Sequence, residues 1–327
     1  MSEYDFIIVG AGSAGSALAN RLTENPDNRV LLLEAGGADS HPWVRIPMGY
    51  GKVFYDQRVN WKYTTEPNET LDGNRIYWPR GKVMGGSSSI NAMVYVRGHP
   101  QDYDHWAKDA PGWSWTDVAP VFKRMENWLG AANPDRGSDG PLTVRDIADD
   151  AHPLCANYLT AAEQAGFAYN PDYNSGQMEG AALYQITTKN GLRASAARAY
   201  ITPIQHRSNL TLALRAHVQK LCFEGRKVTG VRYLQKGQLK TAHARAEVIL
   251  CSGAINSPQL LQLSGIGPGA LLQAHNIPVV QDMPQVGRNL KDHLGADLHY
   301  RSKVQTLNQV LRPLSGKIRV ALQYLFT

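Results

Sequence analysis

Phe6-Ile7-Ile8-Val9-Gly10-Ala11-Gly12-Ser13-Ala14-Gly15-Ser16-Ala17-Leu18-Ala19-Asn20-Arg21-Leu22 reads as a strand, a tight glycine turn and a helix. A second apolar run, Val30-Leu31-Leu32-Leu33, ends in Glu34, two dozen residues after Gly10, and closes a βαβ unit of the length a dinucleotide fold requires. Gly10 permits the turn, Gly12 lets the backbone approach a pyrophosphate, and Gly15 allows the helix to pack closely on the strand. The helix N-terminus, including Ser13 and Ala14, offers free N–H groups and a positive dipole end to phosphates. Glu34, at the carboxyl end of the second strand, can accept hydrogen bonds from ribose hydroxyls. The adenosine diphosphate half of a cofactor is expected here.

Working outward, 327 residues with 43% hydrophobic and 19% charged side chains bury a large core and predict two domains. No stretch approaches the ~18 to 20 continuous apolar residues of a membrane helix. The first strand starts at Phe6, which leaves no room for a signal peptide, so a cytoplasmic location is expected, with contact to the inner face of a membrane left open. Cys155, Cys222 and Cys251 are isolated, without metal-ligand or redox spacing, and read as buried thiols; no metal site is expected. Of the net charge of +6, much falls between Lys189 and Arg245, where a dozen Lys and Arg residues face one acid, Glu224. Such a run is more often a solvated face than a lipid-binding surface, and no aromatic-interleaved pattern points to nucleic acid.

From Ala35 to about Asp102 the chain is rich in turn residues and aromatics, as in Asn60-Trp61-Lys62-Tyr63 and Tyr77-Trp78-Pro79-Arg80, with little periodicity. A loop of that length usually lines a site. Within it, Gly81-Lys82-Val83-Met84-Gly85-Gly86-Ser87-Ser88-Ser89-Ile90-Asn91-Ala92-Met93 removes side-chain bulk and presents N–H and hydroxyl donors, suited to a polar planar ring or phosphates. Helices then follow: one from Trp115 to about Asn127 with a Thr cap, and an amphipathic one from His152 to Gly166. This middle region reads as a cap domain inserted into the dinucleotide fold. Leu210 to Leu214 is a strand, the runs around Gly225, Gly230 and Gly237 form an antiparallel meander, and Val248-Ile249-Leu250 is a further buried strand ending at Cys251-Ser252-Gly253-Ala254. A small-residue turn at the carboxyl end of a strand is where ligands sit in an open α/β sheet. Ser257 and Pro258 read as the cap and first residue of the next helix.

The glycine fingerprint ending in Glu34-Ala35-Gly36, the run Gly81 to Asp104, and Gly253-Ala254-Ile255-Asn256-Ser257-Pro258 through Ser264-Gly265-Ile266-Gly267 resemble, in this order, the signatures of the glucose-methanol-choline (GMC) oxidoreductase family, along the whole chain and nearest its alcohol dehydrogenase (acceptor) and choline dehydrogenase branch. The resemblance implies an α/β fold with a Rossmann-like FAD-binding domain (1–105 and 209–296), an inserted α+β cap or substrate domain (106–208) and the start of a further substrate domain (297–327). It implies FAD, and oxidation of an alcohol to an aldehyde or ketone by hydride transfer, with quinone or oxygen rather than NAD as acceptor. Carried onto this sequence, Gly10, Gly12, Ser13, Ala14, Gly15 and Glu34 bind the adenosine diphosphate part. Val83, Ser87, Asn91, Ala92, Met93 and Val94 lie along the flavin and ribityl chain, Val218 holds the adenine through its backbone, and Gly253 belongs to the second small-residue turn. Ile90 stands where some relatives carry the histidine that attaches FAD, which excludes covalent attachment by that route.

In the family the catalytic histidine lies in a carboxyl-terminal part, and none of the ten histidines here stands in a matching motif. The chain is therefore expected to be an N-terminal fragment with no catalytic residue of its own, its general base lying beyond Thr327, which interrupts the apolar run Val320 to Phe326. Two other readings stay open at this point. An NAD-dependent dehydrogenase shares the first forty residues, and a noncatalytic FAD-binding remnant or a hydroxynitrile-lyase-like flavoprotein shares the rest.

Overall fold

A computed structural model describes residues 2–293 and 295–326, so the expectation built on Thr327 lies outside the described residues. Six strands form the main sheet: β1 (Ser2–Val9), β2 (Val30–Glu34), β3 (Leu210–Leu214), β4 (Ala216–Glu224), β5 (Lys227–Gln235) and β6 (Gln238–Leu250), in the order β4-β5-β6-β1-β2-β3. β6, β1, β2 and β3 run parallel, whereas β4, β5 and β6 form the antiparallel meander. Val248-Ile249-Leu250 is the end of the 13-residue β6, whose first half pairs with β5 and whose second half pairs with β1. One strand thus joins the meander to the dinucleotide sheet, where a separate strand was expected.

The alternation of β1 and β2 sets three layers, because successive side chains leave a strand on opposite faces. Ile7, Val9, Leu31 and Leu33 pack against Ala216, Leu221, Val231 and Ala242 of the meander. Ile8, Val30 and Leu32 face the other way, onto Ala19 of α1 (Ser13–Leu22) and onto Ala197, Ile201 and Ile204. Both faces being covered, all five residues of β2 are buried, which accounts for a run without polar alternation. Each such aliphatic side chain stabilises the fold by about 1.5–3 kcal/mol. Between β3 and β4 stands Arg215 alone, at φ +53°, which turns the chain from one end of the strand order to the other.

The described residues group into two units. The larger comprises Met1–Arg145 and Gln185–Leu290. Besides the sheet it holds α2 (Pro100–Trp106) and α3 (Trp115–Met125). Ser114, not Thr116, caps α3, since Asp117 stands three residues on and closes a capping box with it. Glu126 is wholly buried between Arg97 and Arg136, each 2.7 Å from a carboxylate oxygen. These pairs fix the end of the segment that leaves the serine-rich loop, and Tyr95 N donates to Gln185 O while Thr187 N donates to Met93 O, both at 2.9 Å. The smaller unit comprises Asp146–Tyr184 and the described part of 291–327. It contains α4 (Leu154–Gln164), after which Gly166 takes φ +91°. Among the described residues no helix is long and apolar enough to cross a membrane.

Candidate functional site

At the end of β1, Gly10 adopts φ +103° and a side chain there would lie 2.5 Å from the carbonyl oxygen of Cys251. The turn therefore brings the chain into contact with the carboxyl end of β6, where Cys251 N donates to Val9 O at 2.8 Å and Ser252 Oγ donates to the same oxygen at 3.0 Å. α1 follows at once, with Gly12 as its N-cap and no side chain capping it. Gly15 is buried in the first turn of α1, and a methyl group there would meet Gly10 O at 1.9 Å. Its place is the helix-to-turn packing rather than the open side of the turn.

The serine-rich loop meets this turn backbone to backbone. Gly86, at φ +56°, would place a Cβ 2.7 Å from the Cα of Gly12. Glu34 closes the third side. Its Oε2 accepts from Ala11 N at 3.0 Å and its Oε1 from Gly36 N at 2.8 Å. Burial pushes its pKa up to about 7, against the opposing effect of those two N–H groups and of the Lys82 charge. Each oxygen retains acceptor capacity for a ligand hydroxyl. α5 (Gly253–Leu263) begins directly after β6, with Gly253 at φ +82°. Ser257 is inside α5 instead of capping it, because its Oγ accepts from Ser252 N at 3.1 Å and ties the first turn to the strand end.

These segments enclose a cavity of about 830 Å³ in the larger unit. Gly10, Gly12, Ser13, Ala14, Glu34, Ser87, Val218 and Gly253 line it. Six other expected residues do not. Gly15 is packed as described, and Val83 is fully buried in an apolar cluster with Val44, Val53, Val59 and Ile90. Asn91, Ala92, Met93 and Val94 continue the loop outside the cavity lining, with Met93 buried and the other three exposed.

Trp61, Arg80 and His217 also line the cavity. The Trp61 ring stacks on Tyr63 with centroids 5.9 Å apart, and His217 leans on it at 5.4 Å. Lys82 Nζ stands 4.4 Å from its centre. Burial first, and the Lys82 charge second, push His217 below the usual histidine range, which keeps it neutral on this aromatic wall. The sequence signal for Trp61 and Arg80 was their place in an aromatic stretch too long for an idle loop. His217 was adjacent to the expected Val218 and carried no signal of its own.

A dinucleotide fits this arrangement. The approach of Gly86 to Gly12 leaves a backbone cradle that a Cβ on Gly86 would fill, at an uncapped helix N-terminus that favours anions, with a buried carboxylate one strand away. The chain is similar to known proteins along most of its length. A family model described as GMC oxidoreductase matches residues 4–295. Alcohol dehydrogenase [acceptor] of Pseudomonas putida is 46% identical over 301 residues, which cover 90% of this chain and 54% of that protein. Mitochondrial choline dehydrogenase of Mus musculus is 43% identical over 334 residues, covering 99% of this chain and 56% of its own length. Among solved structures, pyridoxine 4-oxidase from Mesorbium loti superposes with a TM-score of 0.85 at 36% identity, covering 89% of this chain and 57% of that one. The chain spans about half the length of the curated relatives it matches.

Proposed function

The chain belongs to the GMC oxidoreductase family of FAD-dependent oxidoreductases, and on that premise we propose that it holds FAD for the oxidation of an alcohol to an aldehyde or ketone, with an acceptor other than NAD. The observation that carries this reading is the cavity built on the Gly12–Gly86 contact and Glu34. Gly10, Gly12, Ser13 and Ala14 receive the pyrophosphate, Glu34 the ribose and Val218 the adenine. Ser87 and the segment Asn91–Val94 serve the flavin end, while Gly15 and Val83 hold the backbone that makes these contacts. The bound flavin supplies the hydride acceptor. What the chain's own residues do is bind, orient and exclude water. We place the cap within 106–208 and assign the general base that takes the hydroxyl proton to none of the ten histidines of this sequence.

FAD added to the purified protein should lose fluorescence on binding and turn the protein yellow. Gly12→Val fills the space beside Gly86 and should weaken FAD binding by at least ~100-fold. A protein that stays colourless with FAD, or a Gly12→Val variant with unchanged affinity, overturns the reading. Reduction of a redox dye by primary alcohols separates an oxidoreductase from a lyase, and peroxide formation in air separates oxygen from a quinone as the acceptor.

A further inference from the structure

Three arginines are buried in the larger unit, and two of them, Arg97 and Arg136, share Glu126. The third, Arg193, is 3% exposed and forms no ion pair among the described residues. Its Nε donates to Val44 O at 2.9 Å. Its Nη1 donates to Ser88 O at 3.2 Å, to Asn91 O at 2.7 Å and to Asn91 Oδ1 at 2.8 Å. Its Nη2 is buried without a hydrogen-bond partner among the described residues. Burial lowers its pKa to about 10, with no neighbouring charge offsetting that effect, so the group remains a cation at neutral pH. A buried cation without an anion costs several kcal/mol of desolvation, a cost that hydrogen bonds to carbonyls offset only in part.

Those hydrogen bonds fix one side chain in particular. Asn91 Oδ1 accepts both from Arg193 Nη1 and from Met93 N, the latter at 3.0 Å. Two donors on one oxygen settle which end of the amide is which, so Nδ2 is directed away from Arg193. The same backing segment holds the loop at two further points: Ala196 N donates to Ser88 Oγ at 2.9 Å, and Ala197 packs where a Cβ on Gly85 would come within 3.1 Å. The backing segment therefore holds the loop from behind, and the Asn91 amide remains as a donor for a ligand.

We infer that Arg193 is a positioning residue for the flavin: it locks the Asn91 amide with Nδ2 as an outward donor and sets an unneutralised positive charge behind the loop, so that the loop favours the flavin ring when it carries added electron density. The inference rests on the reading that the ring lies along Ser87–Val94. It identifies the ligand feature recognised as an electron-rich carbonyl or ring nitrogen, which an amide donor backed by a cation binds more strongly as its negative charge grows.

The test is the midpoint potential of bound FAD, measured spectroelectrochemically, together with FAD affinity and the visible spectrum. In Arg193→Met the ratio of affinities for reduced and oxidised FAD should fall roughly ten-fold, which lowers the potential by about 30 mV for a two-electron couple. Arg193→Lys keeps the charge and should retain most of that potential, while its visible bands shift because the amide is no longer held by two donors. Asn91→Asp keeps the acceptor oxygen that Arg193 Nη1 and Met93 N share; it replaces the donor by a carboxylate that neutralises Arg193 and should lower the potential at least as far. If Arg193→Met does not fold, Asn91→Asp carries the same prediction. An unchanged potential in Asn91→Asp, or equal shifts in the Lys and Met variants, overturns the inference while FAD binding stands. A wild-type protein that binds no FAD overturns the cofactor reading and this inference with it.

Discussion

Glu34 is 6% exposed and accepts two backbone N–H groups, yet burial raises its pKa from 4.5 to about 7. A raised carboxyl pKa in the folded state means that the folded chain holds its proton more tightly than the unfolded one. The folded state therefore loses stability as pH rises from about 4.5 to about 7 and loses no more above that. The full span of the shift amounts to about 3 kcal/mol. Ribose hydroxyls donating to the ionised carboxylate oppose the shift, so FAD binding should release a proton and tighten as pH rises through about 7. In Glu34→Gln both dependences should flatten, because the amide does not titrate. Its NH2 also faces a backbone N–H, Ala11 or Gly36, which should cost about 1–3 kcal/mol at every pH. Chemical denaturation and FAD titration across the pH range, in both proteins, check the slopes; parallel slopes would mean that Glu34 is not the titrating group.

The serine-rich loop and the β1–α1 turn meet through two glycines, and a pair of substitutions isolates that contact. Gly86 and Gly225 have nearly the same backbone, φ +56° and +59°, but a Cβ at Gly86 meets Gly12 Cα at 2.7 Å while one at Gly225, in the β4–β5 hairpin, meets nothing within 4 Å. Gly225→Ala should cost about 1 kcal/mol, the conformational penalty alone. Gly86→Ala adds the clash and should cost about 1–3 kcal/mol more, with a loss of FAD affinity that Gly225→Ala does not share. Equal losses in the two variants, by urea denaturation, would show that the loop yields freely. The contact itself was not legible in the sequence, although both partners were. The β1–α1–β2 unit follows from a local period of apolar residues and glycines, and the meander from alternation between turns. Caps and strand limits did not follow. Ser257 looks like an N-cap locally, yet its hydroxyl is drawn to Ser252 at the end of β6. The π-helical turn Ala197–Ile201 is met by Asn20, whose Nδ2 donates to Tyr200 O at 2.8 Å from 180 residues away. Trp61 meets His217, and Arg193 meets Asn91, across separations that no period in the chain records.

At the scale of the molecule, part of the basic run from Lys189 to Arg245 is engaged in contacts with the rest of the chain. Arg193 is buried behind the loop, Arg198 pairs with Asp39 at 2.6 Å, Arg207 donates to Asn20 O and Thr23 Oγ1, and Arg245 pairs with Asp5 at 2.8 Å. Those side chains serve tertiary contacts, which weakens a uniform lipid-binding face as the reason for the charge. The cavity, too, is built by one unit: every residue lining it falls within Met1–Arg145 or Gln185–Leu290. A ligand that binds only the folded state stabilises it by about 2.7 kcal/mol at a free concentration 100 times its Kd. With FAD at that excess, the larger unit should unfold at higher temperature, and amide exchange should slow in the segments that frame the cavity: Gly10–Ala14, Gly81–Ser87, Ala216–Gln219 and Cys251–Ser257. The smaller unit, Asp146–Tyr184 with the described part of 291–327, contributes no residue to the cavity lining and should keep its exchange rates. Hydrogen exchange with and without FAD reads both at once. Equal slowing in the two units would mean that they fold as one cooperative body, and slowing confined to the smaller unit would place the cofactor somewhere other than the Gly12–Gly86 cradle.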